Sequence, residues 1–281
     1  MYKTDSALIE KCRNLRREGF TLGKIIKAVK LPKTTVFDHI QDIPLSAKRK
    51  REIQKAAIKR ITAFSRKRKG KCIPGRVVPK PKGWTNELLF LTAHFMFDGD
   101  IQTHSCIYHN RNMALINRVS ALMKKVFHLQ PHNWLNKETG VYRISYHYVE
   151  LADYMRNKAQ ELRQSIESTS LSGKKIFLKV FFDDEGSVKW RRNQRLVRGY
   201  QYNLKILKLV QKLLRDFDIE SKIDEKYKEI VVSRKENLIK FHDKINFSKG
   251  IYINPNRKNS IWKKKLEKRE ILNKSIDSYQ G

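Results

Sequence analysis

The chain repeats itself, and that repetition limits its possible folds more than any other feature. An apolar run, Leu88-Leu89-Phe90-Leu91-Thr92-Ala93-His94-Phe95-Met96-Phe97, ends at Asp98-Gly99. A second run, Ile176-Phe177-Leu178-Lys179-Val180-Phe181-Phe182-Asp183-Asp184, ends at Glu185-Gly186. Each is followed by a segment of hairpin character (100–109 and 187–203) and then by an amphipathic helical pattern. Leu115, Ile116, Val119, Leu122, Met123 and Val126 correspond in order to Ile206, Leu207, Val210, Leu213, Leu214 and Phe217. A second strand pair (132–148 and 220–233) and a closing helix complete each copy. Leu151 and Tyr154 lie 53 and 56 residues after Asp98, and Leu238 and Phe241 lie 53 and 56 after Glu185. An ordered series of matches at one period marks a duplicated unit. The expected fold class is α+β, with two pseudo-symmetric αββαββα repeats at residues 84–165 and 166–250.

Ahead of the repeats, residues 6–42 read as three short helices. Leu8, Ile9, Cys12 and Leu15 share a face of the first, roughly Ala7 to Glu18, and Gly19 closes it. Thr21 is placed to cap a second helix carrying Leu22, Ile25, Ile26 and Val29. Pro32 disfavours helical geometry at Leu31, so a third helix begins near Lys33-Thr34-Thr35, with Val36 and Ile40 facing inward. Two helices joined by a short turn, the second opening on polar and basic residues, make the helix-turn-helix pattern. Residues 1–45 are therefore expected to be an all-α helix-turn-helix DNA-binding domain, with Lys33, Thr34 and Thr35 meeting DNA. The stretch resembles the DNA-binding modules of resolvases and small regulators. Residues 46–83 are expected to be a basic linker, helical from Ala47 to Phe64 and irregular through its Gly and Pro residues. Residues 251–281 are expected to be a basic extension, with a basic helix from Trp262 to Ile276 that packs on the domain, touches flanking DNA or lies as solvated surface.

Charge narrows the partners. The 281 residues include 61 Lys or Arg against 28 Asp or Glu, a formal charge of +33. Such a field favours a polyanion, because each phosphate neutralised releases counterions. Between residues 48 and 82 there are fifteen basic residues and one acid, Glu52. A block this dense repels itself unless phosphates neutralise it, so it is read as a segment that tracks DNA. An anionic membrane is the rival polyanion, but no long basic helix has a Trp/Leu face and no lipidation signal is present. The run Leu88 to Phe97 is too short to span a bilayer, and the N-terminus has no apolar signal region. Cys12, Cys72 and Cys106 are odd in number and widely spaced, which argues for a reducing compartment. The expected location is intracellular and cytoplasmic.

The two run-ends carry the chemistry. A carboxylate at a helix C-terminus faces the negative end of the macrodipole, at a cost of about 0.3–1 kcal/mol when exposed. Two such ends side by side add like-charge repulsion, and breaking the same local rule at both Asp98 and Glu185 suggests a compensating cation. Oxygen-only ligands favour Mg²⁺, with Mn²⁺ as its substitute. Leu91 to Gly99 and Leu178 to Gly186 resemble the two motifs of single-chain LAGLIDADG homing endonucleases, and the likeness covers roughly residues 84–250. The resemblance implies two motif helices packed at the centre of a pseudo-twofold molecule, saddle-like antiparallel sheets, and Asp98 and Glu185 as catalytic, metal-binding residues. It implies a monomer that cuts both strands of duplex DNA by metal-assisted phosphodiester hydrolysis, with no obligate protein partner. Met96 stands where the family has a first acid, and Val180 stands where it has a small residue. Asp100 is the alternative to Asp98 as the first ligand. Gly99 and Gly186 are expected to cap the helices.

Further positions follow from the same picture. On the sheets Lys189 and Arg191 share a face, joined by Arg195 or Arg198, to read guanine edges or hold phosphates. The first copy presents Gln102 and His104 there, beside Tyr108, Asn110 and Arg111. Arg143, Lys226 and Lys228 lie where the family places a basic residue near the active site. His104, Cys106, His109, His128 and His132 cluster in sequence, but their spacing matches no standard zinc site. Two rival functions remain: a DNA-binding transcription regulator on the same scaffold that does not cleave, and an RNA maturase.

Overall fold

Helical spacing of the apolar residues decides the first unit. The computed structural model describes residues 5–68, 78–191, 194–256 and 262–279, with 66–68 as backbone alone. The chain divides into two compact units, Met1–Gly75 and Arg76–Gly281. In the first, α1 (Ser6–Arg17), α2 (Leu22–Val29) and α3 (Lys33–Ile40) bury Cys12, Ile25, Val29, Val36 and Ile40 together. Asp5 caps α1 by accepting from the Ala7 amide, whereas Thr21 makes no side-chain cap at α2. The turns are fixed by backbone geometry, with Gly19 at φ +89° and Lys30 at φ 57°. Arg13 pairs with Asp42 at 2.5 Å, and Arg16 donates to the Ile43 carbonyl at 3.0 Å, tying α1 to the chain beyond α3. A long helix, α4 (Ala47–Arg68), follows where a helix from Ala47 to Phe64 was expected, and it runs about one turn further. Its Arg49 donates to the Gly19 carbonyl at 3.1 Å. The irregular stretch expected through Gly70, Pro74 and Gly75 lies outside the described residues.

The second unit is built twice from one plan. The first copy runs α5 (Asn86–Phe97), β1 (Gly99–Ile101), β2 (Cys106–Asn110), α6 (Met113–Phe127), β3 (His132–Asn136), β4 (Val141–Tyr146) and α7 (Val149–Ser165). After a 3₁₀ turn (Ile166–Ser168) come α8 (Leu171–Glu185), β5 (Gly186–Arg191), β6 (Gln194–Tyr200), α9 (Leu204–Arg215), β7 (Lys222–Asp224), β8 (Glu229–Ser233) and α10 (Lys235–Lys244). Both sheets are antiparallel, ordered β1-β2-β4-β3 and β5-β6-β8-β7. The fold is α+β with two αββαββα repeats, as the periodicity implied.

Each sheet is covered by its helices. Leu88, Leu91 and Phe95 of α5 pack with Leu115, Val119, Met123 and Phe127 of α6 and with Leu151 and Met155 of α7. The other faces of α5, through Leu89, Ala93 and Phe97, enter the second core beside Phe177, Phe181 and Phe182 of α8. Full burial of one such side chain contributes roughly 1.5–3 kcal/mol relative to exposure. This double burial explains why the first motif run is apolar all round: α5 is packed between the two cores.

One expectation is corrected at the C-terminus. The last helix, α11, runs from Lys268 to Asp277 and does not begin at Trp262. It packs on α10, β5 and β6 and buries Ile271, Leu272 and Ser275, so it belongs to the second core and is no solvated appendage. A capping box between Glu267 and Glu270 starts it. No described helix is long and apolar enough to cross a membrane.

Candidate active site

The ends of α5 and α8 are brought together because the two helices pack side by side, with Ala93 and Val180 both fully buried. Asp98 is the cap residue of α5, and Glu185 is the last residue of α8. Each helix passes straight into a strand through a glycine whose role is close approach. A Cβ on Gly99 would lie 2.4 Å from the Phe95 Cα, and one on Gly186 would lie 2.2 Å from the Phe182 carbonyl oxygen. Neither glycine has the positive φ of a left-handed cap; Gly186 is extended at φ −85° and ψ 156°. Gly186 is the expected cap of α8, in extended geometry, whereas at α5 the cap position falls on Asp98 and not Gly99. Both helices turn at once into the sheet, which holds both carboxylates at the helix–strand junctions.

The two acids share a charged environment. Burial, then the charges of Asp184 and Glu185, push the Asp98 carboxyl up to about 8, against the pull of Lys268 and a hydrogen bond from Asn110. Asn110 Nδ2 donates to Asp98 Oδ2 at 2.6 Å. Glu185 is pushed up to about 7 by burial and then by Asp184, again opposed by Lys268. Asp100 is exposed and accepts from Gln102 at 2.7 Å.

Asp184 is bound differently. Its fully buried side chain lies 2.9 Å from His94 Nδ1 and accepts from the Tyr108 hydroxyl at 2.8 Å. Burial, followed by the Asp184 and Asp98 charges, holds the Tyr108 phenol well above its ordinary range. His94 stands four residues before Asp98, and Phe181 stands four before Glu185; Phe97 and Asp184 are likewise equivalent. The polar contact His94–Asp184 therefore has an aromatic counterpart in Phe181–Phe97, whose ring centroids are 5.2 Å apart. Tyr108 faces Gly99 across the ladder, as Gly199 faces Gly186. A Cβ on Gly199 would sit 2.4 Å from the Phe181 ring, so the phenylalanine occupies the space that a side chain there would need. One side of the junction is a hydrogen-bonded latch and the other is packed aromatics.

Two further groups complete the floor. Asp183 accepts from Arg118 at 3.0 Å and from the Ser248 amide at 2.8 Å. Lys268, only 7% exposed, donates to the Asp183 carbonyl at 2.8 Å, over the end of α8. Burial holds its amine below the ordinary lysine range, against the charges of Asp183, Asp184, Asp98 and Glu185. Sequence reading missed Lys268, which lies outside both repeats and has no period to mark it. His94 and Asp184 did leave a trace, as polar residues inside otherwise apolar motif helices.

The register sorts the expected contact residues. Ser187, Lys189 and Arg191 of β5 pair across from Arg198, Leu196 and Gln194 of β6, so Arg198 shares their face and Arg195 does not. Arg195 is corrected: it donates to the Ser278 hydroxyl at 2.6 Å and carbonyl at 2.9 Å and lies over the Tyr279 ring, holding down the chain after α11. Arg198 pairs with Glu229 at 3.0 Å. Gln102 and His104 are exposed in the β1–β2 hairpin. His109 donates its amide to the Asp98 carbonyl at 3.2 Å and pairs with Arg143, so Arg143 stands on the rung of Asp98. Lys226 and Lys228 lie at the β7–β8 turn, where the Lys228 carbonyl accepts from the Gln201 amide at 2.9 Å. In the first unit Lys33 and Thr34 are exposed on α3 and Thr35 is half-buried. Cys106 and His109 fall on opposite faces of β2, and among the described residues no three His, Cys, Asp or Glu groups are placed to hold a metal by themselves.

Residues 172–246, from α8 through α10, match the family model described as the LAGLIDADG-like domain. The match takes in Glu185, Asp184 and the second sheet, and it stops before Lys268. No curated protein matches the sequence significantly. Among solved structures, the N-terminal LAGLIDADG domain of WhiA is 20% identical, over 60% of this chain and 87% of that one, at a TM-score of 0.47. Full-length WhiA from Thermatoga maritima is 15% identical over 71% of this chain and 63% of that one, at 0.49. The homing endonuclease I-DmoI in complex with DNA and Mn is 16% identical over 57% of this chain and 96% of that one, at 0.43. These likenesses assign no activity to the chain.

Proposed function

We propose that the protein is a site-specific endonuclease that cuts both strands of duplex DNA. The observation that carries this reading is the pair Asp98 and Glu185, equivalent carboxylates at the touching ends of α5 and α8, both pushed up by burial and by their neighbours' charge. Two carboxylates withdrawn from water fit a divalent cation whose other ligands are water and phosphate oxygens, which is how Mg²⁺ is commonly held. Bound there, Mg²⁺ supplies Lewis-acid stabilisation of the phosphoryl oxygens. The chain's own residues orient and exclude. Asn110 fixes the Asp98 carboxyl, the His94–Asp184–Tyr108 latch fixes one helix end against the other, and Arg143 presents a cation on the rung of Asp98. Lys189, Arg191 and Arg198 on one sheet face, and Gln102 and His104 at the other hairpin, would meet the duplex, with Lys226 and Lys228 nearer the helix ends. Lys33, Thr34 and Thr35 of α3, as part of a helix-turn-helix, would extend the site and add affinity through effective concentration.

A second reading has one observation in its favour. Lys268 already supplies a positive charge among the four carboxylates, which suits a regulator that binds DNA and does not cut. A cleavage selection on random duplexes in Mg²⁺ separates the two, with Ca²⁺ and the Asp98→Asn/Glu185→Gln variant as controls. Site-specific double-strand ends, absent in both controls, are expected. Specific duplex binding with no cutting in Mg²⁺ or Mn²⁺ would leave the regulator, and preference for structured RNA at fixed salt would leave the maturase.

A further inference from the structure

Lys268 is fixed more firmly than its place in a basic C-terminal extension would suggest. Its amide donates to the Ile251 carbonyl at 2.8 Å, the Ile253 amide donates to the Leu266 carbonyl at 3.0 Å, and Tyr252 bridges to Glu267. The capping box then starts α11 on this very residue. Its stem is buried, and its ammonium donates to the Asp183 carbonyl at 2.8 Å, with the Phe182 carbonyl at 3.4 Å. Those carbonyls belong to the last turn of α8, which has no basic side chain of its own. A buried lysine is unfavourable unless its charge is matched. This ammonium sits on last-turn carbonyls of the helix that ends in Glu185, and the charges of Asp183, Asp184, Asp98 and Glu185 oppose its burial without cancelling it. Asp183 has its own partners in Arg118 and the Ser248 amide, whereas among the described residues Asp98 and Glu185 at the helix ends form no ion pair.

We propose that Lys268 is the resident counter-cation of the carboxylate cluster, a positioning residue that makes α11 part of the site. It holds Asp98 and Glu185 together in the absence of metal and weakens the attraction of the site for a divalent ion until phosphate adds its own negative charge. The inference rests on the proposed reading only in taking those two acids as the metal-holding pair. The partner helix comes from beyond the matched LAGLIDADG-like segment, so a chain cut before it would lose the charge balance together with the packing.

Lys268→Met keeps the stem and removes the charge. In the full-length chain with metal chelated, at about pH 8.5 where both acids are ionised, this variant should melt below the parent. Ca²⁺ alone should raise its melting temperature further than the parent's, with binding about tenfold tighter once the competing charge is gone. Adding Asp98→Asn and Glu185→Gln to Lys268→Met should restore stability, because the repulsion that the lysine offset is then absent. A purely packing role for the stem predicts neither effect. Failure of the two acid substitutions to rescue Lys268→Met overturns the proposal, and this comparison holds even if Lys268→Met alone does not fold. Rescue in a protein that never cuts DNA would leave Lys268 as the counter-cation and remove the nuclease reading.

Discussion

At the scale of single residues, the raised acids give the clearest expectations. Asp98 and Glu185 hold protons in the folded protein at pH values where the unfolded chain has released them. The folded state then binds more protons, so stability is greatest below the ordinary carboxylate range and falls as pH rises through about 7 to 8. Divalent binding requires the ionised forms, so the stabilisation by Mg²⁺ should grow over the same window. Melting curves at pH 6 and pH 8.5, with and without Mg²⁺, check both signs; a Mg²⁺ effect that shrinks with pH contradicts them. The latch makes a separate prediction. Tyr108→Phe deletes the hydroxyl that donates to a fully buried carboxylate, and should destabilise by roughly 1–3 kcal/mol in denaturant melts. Phe97→Leu, on the aromatic side, removes no polar partner and should cost less.

At the scale of elements, the glycines and the terminal helix decide how the site is held. Gly186→Ala would put a methyl 2.2 Å from the Phe182 carbonyl oxygen, so the junction between α8 and β5 must shift. Destabilisation of more than about 2 kcal/mol is expected, against a few tenths at Gly83, where an added Cβ meets nothing. The repeat, the element order and the paired acids were legible in the sequence because apolar periodicity and duplication are local signals. The faces of Arg195 and Arg198 were not, since a one-residue difference in strand register reverses which side chain looks outward. Lys268 was invisible for a different reason: its role exists only once α11 folds back on α8. The latch lay between these cases, since His94 and Asp184 stood out in apolar helices while their pairing needed the packing of α5 on α8.

For the whole molecule, the charge sets how any DNA complex responds to salt. With +33 formal charges, affinity for duplex DNA should fall steeply, by on the order of 10³ or more between about 50 and 200 mM salt. Exposed basic residues of α4 provide a test of that helix's part. Replacing Lys55, Lys59 and Arg60 with Gln should weaken all duplexes alike and reduce the salt slope by roughly 0.9 for each phosphate no longer neutralised, as fluorescence anisotropy across a salt series would measure. An unchanged slope would remove α4 from the interface. The central claim concerns the two acids at the pseudo-twofold centre, and single-turnover cleavage of the best-bound duplex tests it most directly. Both strands should be end-mapped, with binding followed in parallel for the parent and for Asp98→Asn and Glu185→Gln. Breaks at one fixed position on each strand in Mg²⁺, reduced by about 10² or more in each variant while binding persists, are the expected result. Full binding by the parent with neither strand cut would contradict the account.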